Sequence, residues 1–167
     1  ASAPQYVGRV LVPVLWDKKT RTIVSNESSE ILRMLNEAFA TFAKGDVDLY
    51  PVALRPQIDE VNEFVYNNIN NGVYRCGFAT EQTAYERGFT RLFSALDRVE
   101  EDLGRMPWLA GEHPTEADWR LFTTLLRFDA VYFGHFKCNR NRIEDFPNLS
   151  RLLQTLYRVP SIAATVN

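Results

Sequence analysis

Asn26-Glu27-Ser28 closes an apolar run and stands just ahead of a helical pattern that begins at Ile31. A helix N-terminus presents unpaired backbone N–H groups and a partial positive charge, so it can hold a carboxylate. The Ser28 hydroxyl adds a donor to that cradle. The Glu27 carboxylate repels a bare anion but attracts an ammonium group. A ligand with both charges on one carbon, the head of an α-amino acid, satisfies both side chains. The same residues also serve as ordinary capping side chains, so the pattern by itself leaves both readings open.

Tyr74 and Tyr132 form a second candidate pair. The helical periodicity places Tyr74 in a loop after one helix and Tyr132 after another that ends near Asp129. Aromatic residues at helix ends commonly just pack. Two phenols facing one cavity, however, can hydrogen-bond a substrate oxygen or supply a proton to a leaving carbon. Cys76 and Cys138 are the only cysteines and form neither a CxxC pair nor a zinc set. They read as small, partly buried thiols of a reducing compartment rather than as a disulfide. His113 and His135 stand apart, so no metal site is expected.

The elements that must position these groups follow from periodicity. Residues 11–16 are apolar almost throughout, which suits a strand buried on both faces. Pro13 is tolerable there only at the strand's start, and most readily with a cis Val12–Pro13 bond. Residues 22–24 return as a second strand. The helix that follows carries Ile31, Leu35, Ala38, Phe39 and Phe42 on one face. The stretch from Lys44 to Pro56, with one glycine and two prolines, reads as a linker. A helix from Pro56 places Ile58, Val61, Val65 and Ile69 together and stops at Asn70-Asn71-Gly72. Residues 73–79 then form a loop, and Thr80 caps a long helix that Gly104 closes. Its apolar positions Tyr85, Phe89, Leu92, Leu96, Val99 and Leu103 alternate in the spacing of a bundle seam. Residues 106–111 connect, with apolar side chains packing down on the core. Thr115 and Asp118 resemble a capping box, which makes Asp118 structural. The helix they start has a broad apolar surface fit for a bundle's centre. Asp145-Phe146-Pro147 opens a last main helix, which Val159-Pro160-Ser161 breaks.

The chain has 167 residues, of which 46% are hydrophobic, enough for one good core or a domain and part of another. A net charge of −2 argues against a nucleic-acid binder, because no basic excess exists to neutralise phosphates. No apolar run approaches the roughly 18–20 residues that span a bilayer, and no signal-like segment starts the chain, so a soluble protein is expected.

The wording VPVLWDKKTRTIVSNESSEILRMLN resembles the Xi class of glutathione transferases, the glutathionyl-hydroquinone reductases. So do GVYRCGFATEQTAYE, LAGEHPTEADWRLFTTLLRFDAVYFGHFKCN and DFPNLSRLLQTLYRVPSIAATVN further along, and the resemblance covers nearly the whole chain. It implies an α+β, mostly α, glutathione transferase fold. A partial thioredoxin-like domain (1–44) and a linker (45–55) would precede an all-helical domain (56–167). It implies glutathione as substrate, held by the Val12 backbone and by Glu27 and Ser28. Tyr74 and Tyr132 would line the pocket for an aromatic quinol conjugate and act in catalysis. A homodimer through the helical domain and a cytoplasmic or organelle-matrix location also follow from it, with no metal, nucleic acid or membrane span. The family's nucleophilic cysteine has no counterpart here, since neither Cys76 nor Cys138 sits at a helix start. Two strands and one helix cannot make a stable core alone. The expectation is therefore a piece of a longer enzyme, or a truncated relative inactive by itself. A non-catalytic transferase-like subunit or scaffold is the alternative, and a plain helical binding module a third reading.

Overall fold

The computed structural model describes residues 5, 7, 8, 11–43, 45 and 47–166. Parts of the polar start of the chain and of the Lys44-Gly45-Asp46 connector lie outside the described residues, as does Asn167. Two compact units are present, Ala1–Asp48 and Leu49–Asn167.

In the first unit, β1 (Leu15–Asp17) and β2 (Thr22–Ser25) pair antiparallel, with Leu15 opposite Ser25 and Asp17 opposite Thr22. Asp17 organises the turn between them. Its carboxylate accepts from Lys19 N at 2.7 Å and from the Thr20 hydroxyl at 2.6 Å, which holds its pKa below the usual carboxylate range. The strand predicted over 11–16 is shorter than expected. Pro13, after a cis Val12–Pro13 peptide, cannot donate to a ladder, and pairing begins only at Leu15. Nor is it buried on both faces: Leu11, Val12, Val14 and Trp16 are all exposed.

α1 (Ser28–Asn36) follows, with Glu27 as its N-cap. The predicted stripe through Phe42 is interrupted, because the helix ends at Asn36 and only a 3-10 turn (Ala40–Phe42) follows. A helix this short depends on a packed face, yet Leu35, Phe39 and Phe42 remain exposed.

The second unit begins inside the expected linker. Tyr50 is buried, and its hydroxyl donates to Asp59 at 2.7 Å while Arg55 Nε donates back to the Tyr50 carbonyl at 3.2 Å. Tyr50 and Arg55 thus tie this stretch to the helix that follows. α2 (Arg55–Val65) passes through a widened π turn (Tyr66–Asn70) directly into α3 (Asn71–Gly77). This corrects the stop expected at Asn70-Asn71-Gly72 and the loop expected over 73–79. Asn70 spends its side-chain amide on Thr124 Oγ1 at 2.6 Å and the Arg120 carbonyl at 3.2 Å instead of ending the helix. Gly72 is buried against the next helix, where an added Cβ would meet Leu92 Cδ1 at 3.1 Å.

α4 (Gln82–Arg105) has Glu81 rather than Thr80 at its N-cap position, with no side-chain cap, and Gly104 lies within it. Its seam behaves as the spacing predicts: Leu92, Leu96, Val99 and Leu103 are buried, with Tyr85 and Phe89 packed against the same core. Leu109 and Ala110 fold down from the connector. α5 (Glu116–Arg127) opens on a full capping box. The Asp118 carboxylate accepts from Thr115 N at 2.8 Å and from Leu109 N at 2.9 Å, tying helix start and connector together. Burial pushes its pKa up, and these donors offset only part of that.

A second π turn (Phe128–Tyr132) leads into α6 (Phe133–His135). α7 (Pro147–Tyr157) starts against Glu100 of α4, whose carboxylate accepts from Asn148 N at 2.9 Å and Leu149 N at 2.8 Å. The break at Val159 is followed by a short α8 (Pro160–Ala163). Among the described residues no helix is long and apolar enough to cross a membrane.

Candidate functional site

The helix start in the first unit is built by its own side chains. The Ser25 hydroxyl donates to Glu30 at 2.8 Å and accepts from Glu27 N at 3.1 Å. Glu27 Oε1 in turn accepts from the Ser29 hydroxyl at 3.2 Å and from Ser29 N at a long 3.4 Å. Glu27 therefore does act as a cap, through one oxygen. Ser28 is exposed and its hydroxyl has no partner among the described residues. The Leu15–Ser25 pairing puts residues before β1 and residues after β2 at the same end of the hairpin. Val12 belongs to the first group, Glu27 and Ser28 to the second. The Val12 side chain is exposed. A carboxylate could approach the helix start beside Ser28, and an ammonium group the open edge of Glu27.

In the second unit α3 and the second π turn bring Tyr74 and Tyr132 together, their hydroxyls 3.4 Å apart and their rings edge to face at 5.9 Å. Tyr74 lies on α3, not in a loop, and Tyr132 closes a π turn rather than trailing a finished helix. Such turns often mark functional positions. Phe136 and Phe78 complete the cluster. The Phe136 ring lies 5.5 Å from Tyr74, 5.3 Å from Tyr132 and 5.5 Å from Phe78. The crossing requires Gly77, because a Cβ there would fall 2.3 Å from the Phe136 ring. Both phenylalanines are four residues beyond a tyrosine, a helical spacing hidden when 73–79 is taken for a loop.

The two tyrosines differ in environment. Tyr132 is 5% exposed, and burial first, then the Tyr74 hydroxyl, pushes its pKa up to about 12. Tyr74 is 44% exposed. One phenol thus stays protonated in the interior while the other belongs to a partly exposed side chain.

Behind these rings Cys76 and Cys138 meet, both buried and both free thiols. Cys138 holds the Cys76 thiol below its ordinary value, while Cys76 and burial push the Cys138 thiol up; the Cys138 thiol itself donates to the Phe136 carbonyl at 3.9 Å. Nothing in their sequence spacing pairs them, and burial keeps both from attacking a substrate. Among the described residues no group of His, Cys, Asp and Glu could hold a metal ion.

Residues 82–155 match the glutathione S-transferase C-terminal domain. The chain is 54% identical over 167 residues to the glutathionyl-hydroquinone reductase PcpF of Sphingobium chlorophenolicum, spanning all of this chain and 53% of that protein. It is 54% identical over 164 residues to the glutathionyl-hydroquinone reductase YqjG of Escherichia coli, spanning 98% of this chain and 50% of that one. The glutathione-bound structure of YqjG superposes with a TM-score of 0.95 at 53% identity, covering 99% of this chain and 54% of that one. A Xi-class transferase from Natrialba magadii gives a TM-score of 0.96 at 48% identity, covering 99% of this chain and 51% of that one. The chain therefore has the glutathione transferase fold, mostly α, with that family's helical C-terminal domain. Its close homologues include the glutathionyl-hydroquinone reductases PcpF and YqjG, and its structural neighbours include Xi-class transferases. It spans about half the length of the curated relatives it matches.

Proposed function

We propose that these 167 residues carry the glutathione- and quinol-binding groups of a glutathione-dependent reductase of glutathionyl-hydroquinones. The observation that carries the reading is the phenol pair, with Tyr74 exposed and hydrogen-bonded at 3.4 Å to a buried Tyr132. Such a pair is suited to a leaving ring that needs a proton.

In the proposed reaction a cysteine thiolate, activated at a helix start, attacks the sulfur of the glutathionyl thioether. A sulfur–sulfur bond forms and the carbon–sulfur bond breaks. The electron pair passes to the ring carbon, which takes a proton from Tyr74 and leaves as the hydroquinone. The Tyr132 hydroxyl supports the Tyr74 oxygen while it gives up that proton. The thiolate of a second glutathione then attacks the mixed disulfide, releasing oxidised glutathione and the enzyme thiolate. The nucleophile is neither Cys76 nor Cys138, since both are buried, and lies outside residues 1–167.

Glutathione itself is held at the first unit's helix start. The Val12 backbone bonds its cysteinyl part, and Glu27 and Ser28 take the ammonium and carboxylate of its γ-glutamyl head. The division of the chain into binding residues 1–44, linker 45–55 and helical residues 56–167, a homodimer through the helices, and a reducing cytoplasm or organelle matrix complete the reading. Two free thiols persist in such a compartment.

A structural-subunit reading draws on a different observation. Glu27 is already engaged as a cap, and the first unit's apolar strands are exposed and able to seat a partner.

The test is turnover of a glutathionyl-hydroquinone by the full-length protein and its Tyr74→Phe variant. Loss of the proton donor should lower kcat by about 10²–10⁴-fold with glutathione affinity unchanged. An unchanged kcat would remove Tyr74 from the chemistry.

A further inference from the structure

Beyond the phenol pair, an open groove of about 760 Å³ runs between α3 and α4. Its walls are the Tyr74 and Phe78 rings, with Arg75 from α3, Arg87 and Arg91 from α4, and Gly88 between them. No lining side chain among the described residues is a carboxylate. Three guanidinium groups thus share one groove in a chain whose net charge is −2.

Two of these arginines are held in place. Arg75 donates to the Asn67 carbonyl at 2.7 Å and Arg91 Nε donates to Asn68 Oδ1 at 2.6 Å, both acceptors lying in the π turn that precedes α3. Each keeps further N–H groups for another partner. Arg87 has no hydrogen-bond or ionic partner among the described residues. It lies one turn before Arg91 on the same helix, where like charges destabilise by a few tenths of a kcal/mol. An ordinary solvated helix face would interleave acids at these positions. The neighbours one turn away from Arg87 are instead Thr83, Ala84, Thr90 and Arg91.

We propose that this groove binds an aromatic acid, a ring bearing a carboxylate. The ring packs on Tyr74 and Phe78, and the anion sits among Arg75, Arg87 and Arg91. Guanidinium forks match a carboxylate in two parallel hydrogen bonds, and the stacked rings at 6.0 Å present an aromatic wall beside them. Buried Gly88 lies where the two helices approach, with the Arg75 backbone in ordinary contact range of that position. The volume falls within the range of small-ligand sites, about 300–1,000 Å³. The inference rests on the reductase reading in that Tyr74 serves both sites, and it narrows the substrate to quinols with an acidic substituent.

The experiment is calorimetric titration of the chain, under anaerobic reducing conditions, with 2,5-dihydroxybenzoate and with its uncharged methyl ester. The acid should bind at least tenfold more tightly than the ester. In Arg87→Gln, which breaks no existing bond and should leave the melting temperature unchanged, that preference should fall below threefold. Raising salt should erode it in the same direction. Equal binding of acid and ester, or a preference unchanged by Arg87→Gln, would overturn the proposal. Inorganic phosphate displacing the acid at equal concentration would overturn it as well, by showing that the ring adds nothing. In each of those cases ester binding that weakens in Tyr74→Phe leaves the reductase reading standing. Absence of binding by both aromatic ligands counts against both.

Discussion

The two units of this chain use apolar residues in opposite ways. From Tyr50 onward they form a continuous core in which Leu92, Leu96, Leu121, Phe128 and Leu152 are fully shielded. In the first unit the one buried residue among those described is Ser25, a polar side chain committed to Glu27 and Glu30. Its strands and helix have the apolar content for a core, but among the described residues of this unit none of those apolar side chains is buried. Secondary structure therefore forms in both units, while burial, the dominant source of stability, is concentrated in one. A capped helix start and a packed aromatic cluster need not share the same reservoir of stability.

Hydrogen exchange gives the largest expected contrast. Amides of residues 92–99 should exchange only through global unfolding, and those of residues 11–39 through local opening, slower by orders of magnitude in the first case. Equal protection of the two segments in a monomeric sample would abolish the distinction. Leucine truncations sharpen it further. Leu96→Ala should cost about 2–5 kcal/mol because it empties a closed core. Leu35→Ala, at a site 54% exposed, should change stability by no more than about 0.5 kcal/mol. Comparable losses in thermal or urea unfolding would mean that Leu35 has found a buried setting.

Asp118 tests a polar anchor within the core. Its replacement by alanine removes a cap and orphans the Leu109 and Thr115 amides, a cost of about 2–3 kcal/mol. A melting temperature unchanged by Asp118→Ala would show the anchor to be dispensable.

The smallest effect should come from Asp97, which Arg140 grips with both its terminal nitrogens. That pair lowers the Asp97 pKa. A carboxyl with a depressed folded pKa stabilises above its unfolded value of about 4 and loses that contribution as pH falls through the folded value. Wild type should therefore lose slightly more stability than Asp97→Asn between pH 5 and pH 2. Both side chains are partly exposed, which keeps the difference small. A steeper acid loss in the asparagine variant would reverse the assignment.

Some features were legible because they are local. The alternating four-and-three spacing from Tyr85 to Leu103 specifies a buried helical stripe whatever packs on it, and the α4 seam follows it. Thr115 and Asp118 lie three residues apart, so the capping box closes within one turn. Glu27 and Ser28 announce a helix start for the same reason. The failures have the opposite character. Asn70-Asn71-Gly72 is a sound stop signal in isolation, worth about 1 kcal/mol, but it loses to burial of Gly72 against Leu92 and to the Asn70 bonds with α5.

What the sequence determined by itself, then, is the helical seam, the capped helix starts and the family wording that named the fold. Only the tertiary structure decided that Tyr74 stands 3.4 Å from a phenol 58 residues away, that Cys76 and Cys138 are neighbours, and that three arginines from two helices line one groove. Those juxtapositions depend on how α3 is carried through its π turn onto α4 and α6. That path is set by burial summed over many side chains, which no local spacing encodes.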